Sequence, residues 1–460
     1  MLSSVYLLSV LVAGQAPSVA RTFCNPLPIP SVPLGREVVD GSWKGDGYRE
    51  ISDPTLLTEG KTLYLYPSAG MAWKSTDGAA TWTKIDIGIE DVGYAPTVVK
   101  HRGRYLLMAT DSDIYTSDSP EGPFHSLGPV EPSAPEVPKY FDPMLFSEDG
   151  RLYLYFGCTE TNGIWGLELD GGNPRRIVRP ARRLIAFEPD TQPWERLPNI
   201  PSVGWMEGSW MVKVGERYCL TYAASGTENE TYATGAAWSD EPLGTFVMQK
   251  NNPIFRTVTG LVRGTSHGSI VPDPWVSGGY LKAYTVRVYR IHKFERLIGL
   301  DRIHLDANGD FAVSQASDVP QLADGTGAAP WRPMRLVAKS MSESLDNVIA
   351  TASPLGSLPA TVEFSSDKAA VPCAVRIIWC ERGLRKCGLG CGPVRYRVEG
   401  LHNGTWTTLV DKSANDRDLV VDYCEFQRRI RTDHLRLVVL KAFGDIRIEL
   451  AEFTVFAEGE

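Results

Sequence analysis

Positive charge is in short supply along this chain: 47 Lys and Arg stand against 55 Asp and Glu, and no stretch is a basic run. A formal net charge of −8 excludes the cationic face that nucleic acid or an anionic membrane surface requires. Charged residues are few overall, 22% against 43% hydrophobic, which excludes global disorder. Past the N-terminus no stretch approaches ~20 apolar residues, so no membrane span is expected. The eight cysteines contain no C-x-x-C pair, which argues against zinc at Cys380, Cys387 and Cys391. What is abundant is Gly (43), Pro (32), Tyr (18) and Trp (12). Long helices use few of the first two. A β-rich fold with many turns and aromatic-lined surfaces is predicted. The 460 residues suffice for two to four domains with sizeable cores.

Residues 1–20, MLSSVYLLSVLVAGQAPSVA, have an apolar stretch from Val5 to Val12 and small residues at Ser18 and Ala20. This is a signal peptide in outline, lacking only a basic start. The sequons Asn229-Glu230-Thr231 and Asn403-Gly404-Thr405 suit a secreted glycoprotein. In such a compartment Cys24, Cys158, Cys219, Cys373, Cys380, Cys387, Cys391 and Cys424 are expected in disulfides, with a pairing that spacing does not reveal.

A unit repeats over the first 300 residues. Ser52-Asp53-Pro54-Thr55-Leu56-Leu57 precedes Thr62-Leu63-Tyr64-Leu65-Tyr66. The same short polar start, apolar strand, turn and second strand recur from Tyr94-Ala95-Pro96, Phe141-Asp142-Pro143, Met206-Glu207-Gly208 and Ser266-His267-Gly268. Asp53, Ala95, Asp142, Glu207 and His267 are thus equivalent, at intervals of 42, 47, 65 and 60 residues. That is the length of a four-stranded blade with variable loops. A second motif, Ser117-Asp118-Ser119-Pro120-Glu121-Gly122-Pro123-Phe124, returns as Ser239-Asp240-Glu241-Pro242-Leu243-Gly244-Thr245-Phe246 and reads as an outer strand with its turn. Trp73-Lys74-Ser75-Thr76-Asp77-Gly78 is a looser copy. The fold class predicted is all-β: a five-bladed β-propeller over residues 21–325, then a β-sandwich (jelly-roll) domain over 326–460.

Innermost strands of a propeller line one channel, so Asp53, Asp142, Glu207 and His267 should meet at its mouth. Like charges in one pocket raise one another's pKa. Glycoside hydrolysis needs this equipment, one carboxyl protonated and another ionised. Trp205 and Met206 flank Glu207 with apolar surface, which favours it as the acid; Asp53 and Asp142 sit in more polar contexts, which favours Asp53 as the base. Trp43, Trp73, Tyr94, Phe141, Trp165 and Trp205 lie near blade starts or loops, where aromatic faces stack on sugars or pack the core. The segment from Gly157 to Gly204 is long and rich in Arg and Pro, and reads as a solvated face beside the subsites.

These motifs, in this order, resemble glycoside hydrolase family 43, the five-bladed propeller family of arabinofuranosidases, xylosidases and related exo-enzymes. Arg296-Leu297-Ile298-Gly299-Leu300-Asp301-Arg302-Ile303 and Asp306-Ala307-Asn308-Gly309-Asp310 extend the resemblance to about residue 315. It implies Asp53 as general base, Asp142 as the group that tunes and orients the acid, and Glu207 as general acid. It implies Arg296 at the substrate, with Arg302 as the other candidate. It places His267 at the channel floor, holding water or a structural calcium ion; no other cofactor is implied. It further implies inversion, with the carboxyls roughly 6.5–9.5 Å apart. Tyr94 stands where many members place Trp. The substrate class is then a polysaccharide or oligosaccharide, and the protein a monomer.

After about Gly325 the repeat stops and alternating strands follow, among them Ala360–Phe364, Val394–Gly400, Leu435–Leu440 and Ile446–Leu450. This part resembles a discoidin-like (coagulation factor C-type) sandwich, a domain that binds carbohydrate or braces a catalytic domain. Three other readings compete. Family 32 fructosidases share the propeller and retain configuration, but carry Asn where Ser52 stands and Cys where Gly208 stands. Sialidases are suggested only by Ser75–Trp82. A lectin-like propeller would have no need of Asp53, Asp142 and Glu207 together.

Overall fold

The computed structural model describes residues 21–34, 47–68, 70–384, 388 and 390–459. The expected signal peptide, Trp43 and Cys387 fall outside them. Five antiparallel sheets follow one another along residues 55–303, each starting from an innermost strand: Thr55–Glu59, Thr97–His101, Met144–Glu148, Glu207–Val214 and Thr265–Pro272. The first three sheets carry four successive strands each, and the fourth carries four plus the short Phe255–Arg256, paired with its third strand. The fifth has three, ending in Arg296–Ile303. Its outer edge is met by the N-terminal segment, where Leu27 N–H donates to the Ile298 carbonyl (2.8 Å). The seam is further tied by the pairing of Thr22–Phe23 with Gln321–Leu322.

One device recurs around the ring. In three blades a backbone N–H at the end of the second strand closes on the carbonyl just before the repeated residue: Ser68 on Ser52, Thr110 on Tyr94 and Gly157 on Phe141, at 2.9, 2.9 and 3.0 Å. The hydroxyls of the same turns reach the next blade. Ser68 Oγ accepts from Ala95 N–H (2.9 Å), and Thr110 Oγ1 accepts from Asp142 N–H (3.0 Å). Thr285 Oγ1 of the last blade accepts from Asp53 N–H (2.8 Å), which closes the circle. Capping by a neighbour holds the repeated residues in a conformation they avoid alone. Asp53, Ala95, Asp142 and His267 have φ of 51°, 48°, 49° and 26°, the left-handed region that costs a non-glycine residue about 1–2 kcal/mol. In the fourth blade the strain moves to Trp205 (φ 49°) and Gly208 (φ 57°), on either side of Glu207.

The Ser-Asp motif belongs to the third strand of its blade, not the outermost one. Ile114–Ser117, Ala233–Ser239 and Ala72–Ser75 are all third strands. In the two full copies the Ser hydroxyl accepts a backbone N–H two residues on (Ser119, 3.1 Å; Glu241, 3.3 Å). Three arginines of the 157–204 segment, Arg179, Arg182 and Arg183, lie exposed on Ile177–Ile185, the outer strand of blade three. Charge on an edge strand discourages pairing with another chain.

Residues Trp331–Glu458 form two further antiparallel sheets. One orders Trp331–Pro333, Arg447–Glu458, Pro372–Arg382 and Val421–Glu425; the other orders Ala360–Ala370, Thr432–Lys441, Arg395–His402 and Thr405–Lys412. Their inner faces share one core, with Phe364 stacked on Phe453 at 4.2 Å and Trp379 against Tyr396. The expected disulfides are not formed among the described residues, whose seven cysteines are free thiols. They serve different surroundings: Cys24 lies against the Arg376 guanidinium (3.5 Å), Cys219 is packed in blade four and Cys158 faces Glu207.

Several acids are buried away from the propeller mouth. Burial pushes Asp301, Glu195 and Glu452 each up to about 7, despite the hydrogen bonds they accept. An acid raised in the folded state holds its proton more tightly there than in the unfolded chain. Its contribution is complete below the unfolded pKa of ~4 and is lost as pH rises toward 7. Lys282, which burial holds down to about 7, stays protonated in both states below that pH and leaves the trend unchanged. The melting temperature is therefore expected to fall as pH rises from about 5 to about 6.5. Calorimetry showing a flat or rising Tm over that range would contradict the assignment.

Candidate active site

The left-handed turns aim their side chains into one mouth of the ring. A cavity of about 330 Å³ there is lined by Asp53, Tyr94, Phe141, Asp142, Trp205, Glu207, His267 and Arg296. All eight were candidates read from sequence. Trp73, another candidate, is placed elsewhere: it is 4% exposed and packed in the core on the third strand of blade one, between Leu65 and Lys84. An aromatic on a third strand faces neighbouring blades rather than the channel. Trp165 likewise lies off the cavity, its indole donating to the Asn162 carbonyl (3.0 Å). Arg302 pairs with Asp273 (2.8 Å), which leaves Arg296 as the arginine of the site.

Of the three acids Asp53, Asp142 and Glu207, Asp53 is the most heavily bonded. Oδ1 accepts from Arg296 Nη1 (3.0 Å) and Thr285 Oγ1 (3.3 Å), and Oδ2 accepts from Ser68 Oγ (2.8 Å) and Ser52 Oγ (3.1 Å). Burial alone would raise its pKa, but the Arg296 guanidinium, His267 and the two serines outweigh it and hold it below the ordinary value. It is a carboxylate that stays ionised.

Asp142 and Glu207 are the reverse. With Cys158 their ligand atoms lie within 4.8 Å of one another. Burial first, with the charges of Glu207 and Asp53 added, pushes Asp142 up to about 7. Burial likewise raises Glu207. Two carboxylates this close titrate as a pair that keeps one proton between them. Glu207 is held in place by three donors: Tyr232 Oη to Oε1, Trp205 Nε1 to Oε2 (3.0 Å) and Cys158 Sγ to Oε2 (3.4 Å). Asp142 has one distant side-chain donor, Thr110 Oγ1 at 3.5 Å. The donors favour resting charge on Glu207 and the shared proton on Asp142. Burial and the surrounding acids drive the Cys158 thiol far above its usual pKa, so it remains a neutral donor.

His267 sits between the two sides, Nδ1 lying 3.4 Å from Asp53 Oδ1 and 3.8 Å from Asp142 Oδ2. It needs Gly208: a Cβ there would lie 2.6 Å from the imidazole Cγ. The channel beneath, bordered by Ser209, Trp210 and Gly268, encloses only about 10 Å³, and Ser209 Oγ is buried without a partner. One orphaned hydroxyl beside an imidazole suits a water molecule. Asp53, Thr55 and Asp142 border the same channel and are the oxygen donors that would face a structural calcium ion there.

Sequence reasoning missed Glu50, Tyr232, Cys158, Thr227, Lys293 and Phe294. Glu50 is fully buried and bonds Arg296 through Nη2 and through Nε (3.1 Å), and accepts from Tyr94 Oη (3.0 Å). Phe294 lies under the Arg296 guanidinium, 5.1 Å from its centre. None sits at a repeated position, so the internal repeat gave no signal for them.

A second cavity, of about 390 Å³, is lined by Asp111, Lys139 and Tyr140 among others. Its lining is continuous in sequence with that of the first, Asp111 following Thr110 and Tyr140 preceding Phe141. Lys139 Nζ stands 5.7 Å from the Phe141 ring, joining the two walls.

Among curated proteins none matches this sequence. Solved structures do match in fold. One described as a glycoside hydrolase is 16% identical, aligns over 88% of this chain and 97% of its own, and superposes with a TM-score of 0.51. A thermostable family-43 glycoside hydrolase is 21% identical over 67% of this chain and 99% of its own, with a TM-score of 0.52. A xylan β-1,4-xylosidase from Bacillus halodurans C-125 is 14% identical over 95% of this chain and 100% of its own, with a TM-score of 0.49. The sequence model of one family spans residues 52–311, more than half of the chain and all five innermost strands, and the chain therefore belongs to glycosyl hydrolases family 43.

Proposed function

We propose that the protein is a secreted, exo-acting, inverting glycosidase that releases arabinofuranosyl, xylosyl or galactofuranosyl residues from polysaccharides or oligosaccharides. One observation carries the mechanism: a single cavity holds a carboxylate pushed toward ionisation and a carboxyl pair pushed toward keeping a proton. The ionised Asp53 takes a proton from water as that water attacks the anomeric carbon. The proton that rests on Asp142 passes to Glu207, which gives it to the departing glycosidic oxygen, so the bond to carbon breaks as the new O–H bond forms. Asp142 keeps that proton available near neutral pH. Tyr94, Phe141 and Trp205 offer faces for the sugar ring. The second cavity takes the remainder of the glycan. The active molecule is a monomer, and the reaction needs no metal-bound step.

A panel of nitrophenyl arabinofuranoside, xyloside, galactofuranoside and galactoside tests this, with the anomer of the first product read by NMR. Release from one of the first three with inverted configuration is expected. A retained anomer would sink the mechanism and favour a fructosidase-type displacement. Sugar binding with no release from any substrate would favour a lectin.

A further inference from the structure

The short strand Tyr48–Glu50 pairs with Val32–Leu34 and passes between the propeller mouth and the sandwich. Neighbouring residues on a strand point to opposite faces. Glu50 therefore faces the active site while Arg49 faces the sandwich. Arg49 is 5% exposed and forms a two-pronged pair with Glu381, Nε to Oε2 at 2.6 Å and Nη2 to Oε1 at 2.8 Å. It also grips Asp418, Nη1 to Oδ2 at 2.9 Å and Nη2 to Oδ1 at 2.6 Å. Both partners belong to the C-terminal sheets or their loops. A second tie lies alongside, where Arg290 Nη1 donates to the Trp379 carbonyl (3.2 Å) a few residues before Arg296.

Resting on Asp53 as the base, we propose that the sandwich is a working part of the catalytic centre: by clamping Arg49 it fixes Glu50, and Glu50 divides Arg296 with Asp53 and so sets the strength of the base. Glu50 is a positioning residue, acting through Arg296. Arg296 has one charge and two carboxylate partners, Glu50 and Asp53. Whatever Glu50 takes is withheld from Asp53. An Asp53 that held Arg296 alone would be a weaker base, because its charged form would be more stabilised. The same Glu50 carboxylate holds the Tyr94 hydroxyl, so one buried group aligns both a wall of the sugar pocket and the electrostatic partner of the base.

The test is the pH profile of kcat/KM on a nitrophenyl glycoside the enzyme cleaves, for the full chain and its variants. Glu50→Gln removes a negative charge near Asp53 and frees Arg296 for it. Both effects lower the pKa of Asp53, so the acid limb is expected to move down by about one pH unit, with kcat reduced about 10–100-fold and KM moved less. An acid limb that stays put or rises, with only Tm lowered, overturns the positioning role. Releasing the clamp by Arg49→Met with Glu381→Gln and Asp418→Asn replaces the ion cluster with neutral groups of similar shape, an exchange that folded proteins tolerate. A smaller shift of the acid limb in the same direction is expected. Glu381→Gln alone, with Asp418 still holding Arg49, provides a milder release. Folded variants with wild-type limb and rate would overturn the part assigned to the sandwich. Asp53→Asn separates the two levels: if it stays active the reading of the base fails, and if it is inactive while Glu50→Gln leaves the limb unmoved, only this inference fails.

Discussion

Asp53→Asn is expected to lower kcat by roughly 10³–10⁴ on every glycoside, whatever its leaving group. The loss does not depend on the leaving group because the missing step is proton removal from the attacking water, not protonation of the departing oxygen. Fold should survive. Asn keeps the shape, and the left-handed backbone at φ 51° suits Asn as well as Asp. The N–H of residue 53 still meets Thr285 Oγ1. Azide provides the decisive check. It attacks without losing a proton, so it is expected to restore part of the activity and yield a glycosyl azide of inverted configuration. Rescue with retained configuration, or activity that survives without azide, would remove Asp53 from this role.

The residues that sequence made visible share one property: they recur. Asp53, Asp142 and His267 were found because each heads an equivalent strand; the structure places each at a positive φ, and caps the N–H of Asp53 and of Asp142 from a neighbouring blade. Glu207 shares the register, although its blade carries the strain on Trp205 and Gly208. Glu50 was invisible for the opposite reason. It lies on the connecting strand outside any blade, and nothing local marks a glutamate whose value comes from Arg296, 246 residues away. Tyr232 and Cys158 are similar, loop or strand-end groups that matter only because folding brings them to Glu207. Trp73 was misjudged because aromatic content says that a ring is needed somewhere, while the strand's place within its blade decides whether it meets sugar or core. The cysteines followed the same logic: their number suggested staples, but their partners in space are a guanidinium, a carboxyl and packed side chains.

Glu207→Gln should behave unlike Asp53→Asn. Activity on a glycoside with a poor leaving group, such as an unactivated oligosaccharide, is expected to fall about 10²–10⁴-fold. A dinitrophenyl glycoside departs without protonation and should lose less than about tenfold, so the ratio between the two substrates is the measurement. The same comparison separates Glu207 from Asp142, which holds the resting proton of the pair. Asp142→Asn leaves Glu207 with Tyr232, Trp205 and Cys158 as donors and without its acidic neighbour, so its pKa should drop. The loss in that variant is then one of protonation state: the alkaline limb of kcat/KM moves to lower pH, and much of the rate returns on acidification. In Glu207→Gln no pH restores the proton donor. If instead Asp142→Asn shows the steep dependence on leaving group and Glu207→Gln only a shifted limb, the two carboxyls exchange roles, with Asp142 delivering the proton that its raised pKa of about 7 already keeps in place.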